Sequence, residues 1–293
     1  VDIGQDLWID PDQVEACIGD ETRGILLVNQ FGIVAQIRRI QRIARKHNLR
    51  IIDDSAQTFL GAPDGGPGTL GDAGILSFNF GKPVSSVGGG ALLLPEASAI
   101  KLADPSRKRV LSKVSEVVSK QTRFQGISRS ISIYRRISRL VRGGRDGHSQ
   151  GVAAAQRMAG VQGEVALHRL GKSLDEYAIR QENRRILEEE LDGVDNLELP
   201  HLGLESACVF LPLLVSRGHR LDLGRLLASK GFETTWDYYP LHMRPEMNSY
   251  RHGSMTQTES VWRRIVLLPL HARVTQDQCF EMARLIARWA RML

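Results

Sequence analysis

Short apolar runs alternate with longer amphipathic stretches along this chain, and that rhythm sets the order of its expected elements. Gly24 to Asn29 (GILLVN) reads as a buried strand. Ile33 to Asn48 follows as a helix. Ile33, Ile37, Ile40 and Ala44 fall at helical spacing, while Arg38, Arg39, Arg42, Arg45 and Lys46 form a solvated face. The strand LRIID comes next, so strand, helix and strand make a βαβ unit with parallel pairing and a right-handed crossover. GILSF and GALLL extend the same sheet. Upstream, residues 1 to 10 read as a strand remnant and turn, and PDQVEACIGDET as a short helix capped by Asp10 or Asp12. Downstream, a long helix over 153–191 leads into a smaller α/β unit. Its parts are a strand near 207–215, a helix near 221–229, a strand near 234–239 and a final helix from Gln276. The expected fold class is α/β, with a large domain over 1–152 and a joining helix plus small C-terminal domain over 153–293.

Candidate chemistry lies between Arg50 and Leu94. One apolar strand runs into Asp53 and Asp54, and a second, GILSFNF, delivers Lys82 onto a Gly-rich turn. A strand-end Asp is commonly a turn former or helix cap, and a lysine in such a turn is commonly solvated. The shared setting raises both, because ligands of open α/β sheets collect at the carboxyl ends of strands. A carboxylate and an amine brought to one end of a sheet are the two groups that pyridoxal phosphate chemistry needs. The lysine forms a Schiff base with the cofactor aldehyde, and the carboxylate keeps the pyridine nitrogen protonated.

The motifs carry a resemblance. IIDDSAQTFLGA, then GDAGILSFNFGK, then GGGALLL resemble the core signature of the DegT/DnrJ/StrS family, sugar aminotransferases of the aspartate aminotransferase (fold type I) superfamily. QRMAGVQGEVALHRL, WDYYPLH and VLLPLHARVT resemble later segments of that family, and Val1 to Gly32 resembles its approach to the core. The resemblance implies a three-layer αβα large domain with a mostly parallel sheet, truncated at its N-terminus, and a smaller C-terminal domain. It implies that Lys82 is the Schiff-base lysine, that Asp54 partners the pyridine nitrogen, that Gln57 sits against the ring, that Ser77 binds the phosphate, and that Arg157 contributes to cofactor binding. Tyr239 and His242 are implied substrate contacts, although a lone histidine is more often hydrogen-bonded structure. The departures are Val87 and Gly88, where the family usually carries a Gly and an acid, and Ala155, where it commonly carries an asparagine. The resemblance also implies that the helix N-terminus which holds the cofactor phosphate in the family lies upstream of Val1.

Composition agrees with an ordinary globular enzyme, at 293 residues, 42% hydrophobic and 25% charged. Cys17, Cys208 and Cys279 are too few and too scattered for a disulfide framework or a metal cluster, so no metal site is expected and a reducing, cytoplasmic setting is the simpler reading. No apolar run reaches the length of a membrane span. The sequence pI of about 9.4 belongs to one segment. Between Arg107 and Arg145 twelve Lys/Arg face a single acid, Glu116, a local +11 against +6 for the whole chain, so no global affinity for nucleic acid follows. This basic insertion, at about 101–149, has Ile133, Ile137, Leu140 and Val141 on one helical face, and Val110, Leu111, Val114, Val117 and Val118 as candidates for a second. A basic amphipathic helix can meet an anionic membrane surface, but packing on its own domain is the commoner fate.

Three functions follow in order. The first is a pyridoxal phosphate-dependent aminotransferase that moves an amino group from an amino acid, glutamate in the first instance, to a keto-sugar nucleotide for polysaccharide or glycoside biosynthesis, as a homodimer. A related dehydratase branch carries histidine in place of the lysine, and Lys82 argues against it. The second is a truncated or degenerate relative without catalysis, and the last a membrane- or nucleic-acid-binding interaction protein.

Overall fold

The computed structural model describes all residues except 35, 59–65, 67, 80–81, 87, 96–101, 115–155, 203–207, 236–238 and 251–252. Val87, Ala155, the 152/153 domain boundary and the apolar positions from Val117 to Val141 therefore lie outside the described residues. Of the basic insertion, 107–114 is helical, with Leu111 and Val114 exposed.

The first helix, α1 (Pro11–Ala16), starts where Asp10 accepts the amide N–H of Asp12, so Asp10 is the cap. Strand β1 (Gly24–Val28) leads through a tight turn into α2 (Ile37–Lys46). The helix starts four residues later than the periodicity predicts, because Ile33 is extended and Gln36 is left-handed at φ 46°. Ile33 is buried nonetheless, as a loop residue. The arginine face is solvated, with Arg39 paired to Asp12 and Lys46 to Glu15 on α1.

Strands β2 (Arg50–Asp54), β3 (Ala73–Ser77) and β4 (Gly90–Leu93) follow, and the sheet order is β1-β2-β3-β4. β1, β2 and β3 are parallel, as the βαβ pattern requires, and β4 pairs antiparallel with β3. Alternation sorts the side chains. Ile25, Leu27, Ile51, Asp53 and Leu76 point to the buried face. The other face presents Leu26, Val28, Ile52, Ile75 and Leu92, which are 38–55% exposed. Parallel strands are ordinarily covered on both sides, so this face is an unusual apolar surface.

Glycines set the approach of the loop before β3. A Cβ on Gly74 would lie 1.7 Å from the carbonyl oxygen of Gly68, a backbone atom that cannot swing away. Gly74→Ala is therefore expected to cost about 3 kcal/mol, the upper end of the usual overpacking range. A urea unfolding midpoint checks this, and one unchanged from wild type would refute the contact.

The expected long helix over 153–191 is two helices, α3 (Gly160–Leu170) and α4 (Ser173–Leu191), broken at Gly171 and Lys172. Gly171 is itself right-handed at φ −60° and Lys172 leaves helical geometry at φ −102°, a break of two residues that apolar periodicity does not register. A second, antiparallel sheet holds β5 (Leu197–Glu198), β6 (Phe210–Val215) and β7 (Ile265–Pro269), in that order. Around it lie α5 (Arg220–Ser229), α6 (Thr256–Arg264) and α7 (Gln276–Ala290), the last opened by a capping box between Thr275 and Gln278. Of the expected strand over 234–239, Thr235 makes a single bridge to Leu267, and 236–238 lie outside the described residues. Helix α6 and strand β7 are not among the elements read from the periodicity.

One hydrophobic cluster runs through both halves, joining Leu27, Ile40 and Ile51 to Leu211, Leu213 and Leu267. Polar staples add to it. The buried Asp2 accepts the amide N–H groups of Gln257 (2.8 Å) and Thr258 (2.7 Å), and so caps α6 from the far end of the chain. Burial is the largest influence on the Asp2 carboxyl and would raise its pKa. Its hydrogen bonds with Thr258, Gln257 and Ile3 together outweigh that and hold it below the ordinary value.

Candidate active site

Two consecutive carboxylates at the end of β2 serve opposite faces of the sheet. Asp53 is fully buried on the core side. Asp54 lies on the apolar face, in a cross-strand row with Val28 on β1, Ile75 on β3 and Leu92 on β4. One Asp54 oxygen, Oδ1, accepts the amide N–H of Ala56 at 3.0 Å, an Asx turn that starts the segment carrying Gln57. Gln57 is partly buried in that turn, and beside it Thr58 keeps a buried hydroxyl with no hydrogen-bond partner among the described residues.

Lys82 is carried by the loop between β3 and β4. Phe78 ties the base of this loop, donating its N–H to Gly89 (2.9 Å) and accepting from the amides of Ser86 (2.8 Å) and Gly88 (3.1 Å). Gly88 and Gly89 have φ of +120° and +93°, in the left-handed half of backbone space where a side chain is strained. The Lys82 amide closes a turn onto the carbonyl of Asn79 at 3.1 Å. Its amine is half-buried, and burial lowers its pKa below the ordinary lysine value, while the Asp54 carboxylate acts in the opposite sense. The structure thus brings Asp54 and Lys82 within electrostatic reach of each other. Ser77 ends β3 nearby, opposite Gly90, and its Oγ accepts the Asn79 amide at 3.4 Å.

The segment from Arg157 to Gln162 reaches the same loop. A Cβ on Gly89 would meet the Met158 side chain at 2.6 Å, and one on Gly88 would lie 3.2 Å from Nε2 of Gln162 and 3.3 Å from Nζ of Lys113. Arg157 itself is on the surface, 3.4 Å from Asp104, and the structure does not bring it to Lys82. Tyr239 is exposed and stacks edge-on against Trp262 at 5.2 Å. His242 faces Glu259 at 3.3 Å and lines an apolar groove of about 440 Å³ that also contains Val28, the row neighbour of Asp54. Among the described residues no cluster of His, Cys, Asp or Glu has the makings of a metal site.

The family model described as the DegT/DnrJ/EryC1/StrS aminotransferase family matches residues 1–286. The chain belongs to this family. Its members are pyridoxal phosphate-dependent aminotransferases of fold type I, as the motifs led us to expect. The chain is 25% identical over 276 residues to the GDP-perosamine synthase of Caulobacter vibrioides, covering 92% of this chain and 66% of that protein. A putative L-glutamine:3-amino-2,3-dideoxy-scyllo-inosose aminotransferase of Micromonospora echinospora is 39% identical over 104 residues, covering 35% of this chain and 25% of its own length. A crystal structure of a family aminotransferase from Brucella abortus superposes with a TM-score of 0.72 at 24% identity, over 99% of this chain and 72% of that one. The chain thus spans between a quarter and three quarters of the length of these relatives.

The residues present fit the cofactor. An amine that burial disposes to lose its proton, a carboxylate within its field and, in the adjoining turn, a buried hydroxyl without a partner among the described residues make up a donor set suited to a polar aromatic ring with an aldehyde. Sequence reasoning did not single out Thr58 or Asn29. Nothing in a side-chain pattern reports that a hydroxyl is left unpaired, because that depends on what folds around it.

Proposed function

We propose that this chain is a sugar aminotransferase that moves an amino group from an amino acid, glutamate in the first instance, to the keto carbon of a nucleotide-linked sugar. The observation that carries the reading is the half-buried Lys82 amine in the field of Asp54. Pyridoxal phosphate, when bound, supplies an electron sink for the carbon that loses its proton. Asp54 would hydrogen-bond and charge-balance the ring nitrogen, and Gln57 would pack beside the ring. Ser77 and Arg157 serve the phosphate, Arg157 from the surface. Lys82 Nζ would hold the cofactor and, once freed, would take the donor Cα proton as general base and give it back as general acid. Its lowered pKa favours the neutral amine that attachment and proton removal require, and the proton it takes up there is the one it returns. His242 borders the groove that also contains Val28, the row neighbour of Asp54, and with the exposed Tyr239 is assigned to the sugar side.

The same reading takes 1–152 as the cofactor domain and 153–293 as the joining helices and small domain, in a cytoplasmic homodimer. Among the described residues no helix is long and apolar enough to cross a membrane. A non-catalytic chain is the second reading, favoured by the exposed apolar face on which Asp54 lies.

Incubation with pyridoxal phosphate, glutamate and a panel of 3- and 4-keto-6-deoxy nucleotide sugars decides between them. Formation of 2-oxoglutarate that depends on a keto sugar is the expected result. Cofactor binding without 2-oxoglutarate from any member of the panel sinks the proposed activity and favours the second reading.

A further inference from the structure

The carboxylate of Asp53 is fully buried and has no part in the chemistry above. Its Oδ1 accepts from Nδ2 of Asn29 and from Oγ of Ser55, each at 2.7 Å, and its Oδ2 accepts the amides of Gly68 (2.7 Å) and Leu70 (3.0 Å). Four neutral donors therefore surround one carboxylate, and among the described residues none forms an ion pair with it. Asn29, itself fully buried, accepts from Nε1 of Trp8 at 3.3 Å and donates its backbone N–H to the carbonyl of Asp54 at 3.0 Å. The Ser55 amide bonds the carbonyl of Ile75 at 2.9 Å, which ties the end of β2 to β3.

These bonds converge on the two residues that flank the Asp54 side chain, from the face opposite to it. A strand end is free to fray, and a carboxylate on a fraying end does not hold one position against a ring nitrogen. Four donors directed at one buried anion, with the next residue's carbonyl and the following amide tied in, remove that freedom. Asp53 has no second use in the structure that needs a charge. A neutral apolar residue would fill the same volume, but it would take the acceptor from the Ser55 hydroxyl and from the Gly68 and Leu70 amides, and leave Asn29 Nδ2 with Ser55 Oγ alone.

We propose that Asp53 is a positioning residue. Its buried carboxylate locks the ends of β1 and β2 and the 68–70 loop together, and so fixes the Asp54 carboxylate for the cofactor. This rests on the reading of Asp54 and Lys82 given above.

The amide of Ala56, which donates to Oδ1 of Asp54, reports that position without cofactor. In Asp53→Asn, hydrogen exchange of the Ala56 amide is expected to speed up about tenfold, together with Gly68 and Leu70, at a temperature where circular dichroism shows a folded chain. Affinity for pyridoxal phosphate falls by a similar factor, about tenfold, as the dissociation constant from visible absorbance reads it. If Asp53→Asn does not fold, Ser55→Ala leaves the carboxylate in place, removes one of its four donors together with the bond that Ser55 Oγ accepts from Asn29, and is expected to speed Ala56 exchange about threefold. Gly68 and Leu70 losing protection while Ala56 keeps it would assign Asp53 to the loop alone and overturn the proposal. Lys82→Ala separates the two readings. Pyridoxal phosphate that still gives its protein-bound band in that variant sinks the assignment of the site, whereas Ala56 exchange judges Asp53 by itself.

Discussion

Lys82→Ala is expected to abolish the visible absorption of lysine-bound pyridoxal phosphate and to lower kcat by at least on the order of 10⁴, the upper end of what one positioned acid–base group contributes. Both effects follow from one atom, because the proposed function makes Nζ both the covalent anchor and the proton carrier. The substitution removes a half-buried group whose charged form burial disfavours, so the fold is not expected to suffer. Absorbance titration with the cofactor, beside a thermal unfolding curve, checks both halves of the statement. A variant that keeps the band at wild-type affinity would move the Schiff base to another lysine. A variant that loses the band only because it has unfolded would be identified by its melting curve.

Asp54→Asn is expected to cost on the order of 10²–10³ in kcat, the size of effect seen when one preorganised electrostatic partner is removed. It also carries a second signature that a loss of fold does not produce. In the native protein the Asp54 carboxylate raises the Lys82 pKa, in opposition to the larger effect of burial, which lowers it. Removing the carboxylate leaves burial unopposed, so the lysine sheds its proton at a lower pH. The rate at which an amine-acylating reagent labels Lys82, followed by mass spectrometry against pH, should therefore show its midpoint displaced toward acid in Asp54→Asn. Only the neutral amine is nucleophilic, so the labelling curve tracks deprotonation directly. A midpoint that stays in place would mean that Asp54 and Lys82 do not share a site. A midpoint displaced toward alkali would mean that another group sets the amine.

The uncovered sheet face bears on both results. Val28, Ile75 and Leu92 flank Asp54 in one row and are largely exposed. A carboxylate in water exerts a weaker field than one enclosed by apolar side chains. The displacement of the labelling midpoint is therefore a lower bound on what the same pair does once that face is covered.

The sequence by itself determined the class of fold and the chemistry. The succession of GILLVN, an amphipathic helix and LRIID pointed to a parallel βαβ unit, since a helix between two strands carries the chain back to the edge at which the first began. The motifs around Asp54 and Lys82, and the family to which they belong, were legible because they are local runs whose residue order is itself the signal. Element ends were less legible. The start of α2 moved to Ile37 and the long helix broke at Gly171, since apolar spacing registers which residues are buried but not which are helical. Only the tertiary structure decided which of two adjacent acids faces the candidate site. Strand alternation sends Asp53 and Asp54 to opposite faces, and nothing in the pair of letters tells which face is the core. The four donors around Asp53 come from residues 29, 55, 68 and 70, and Asp2 caps a helix that begins at Thr256. All of these but the local one from Ser55 span fifteen residues or more, and such contacts exist only after the chain has closed on itself. The same closure placed Arg157 on the surface beside Asp104 and His242 in the groove shared with Val28.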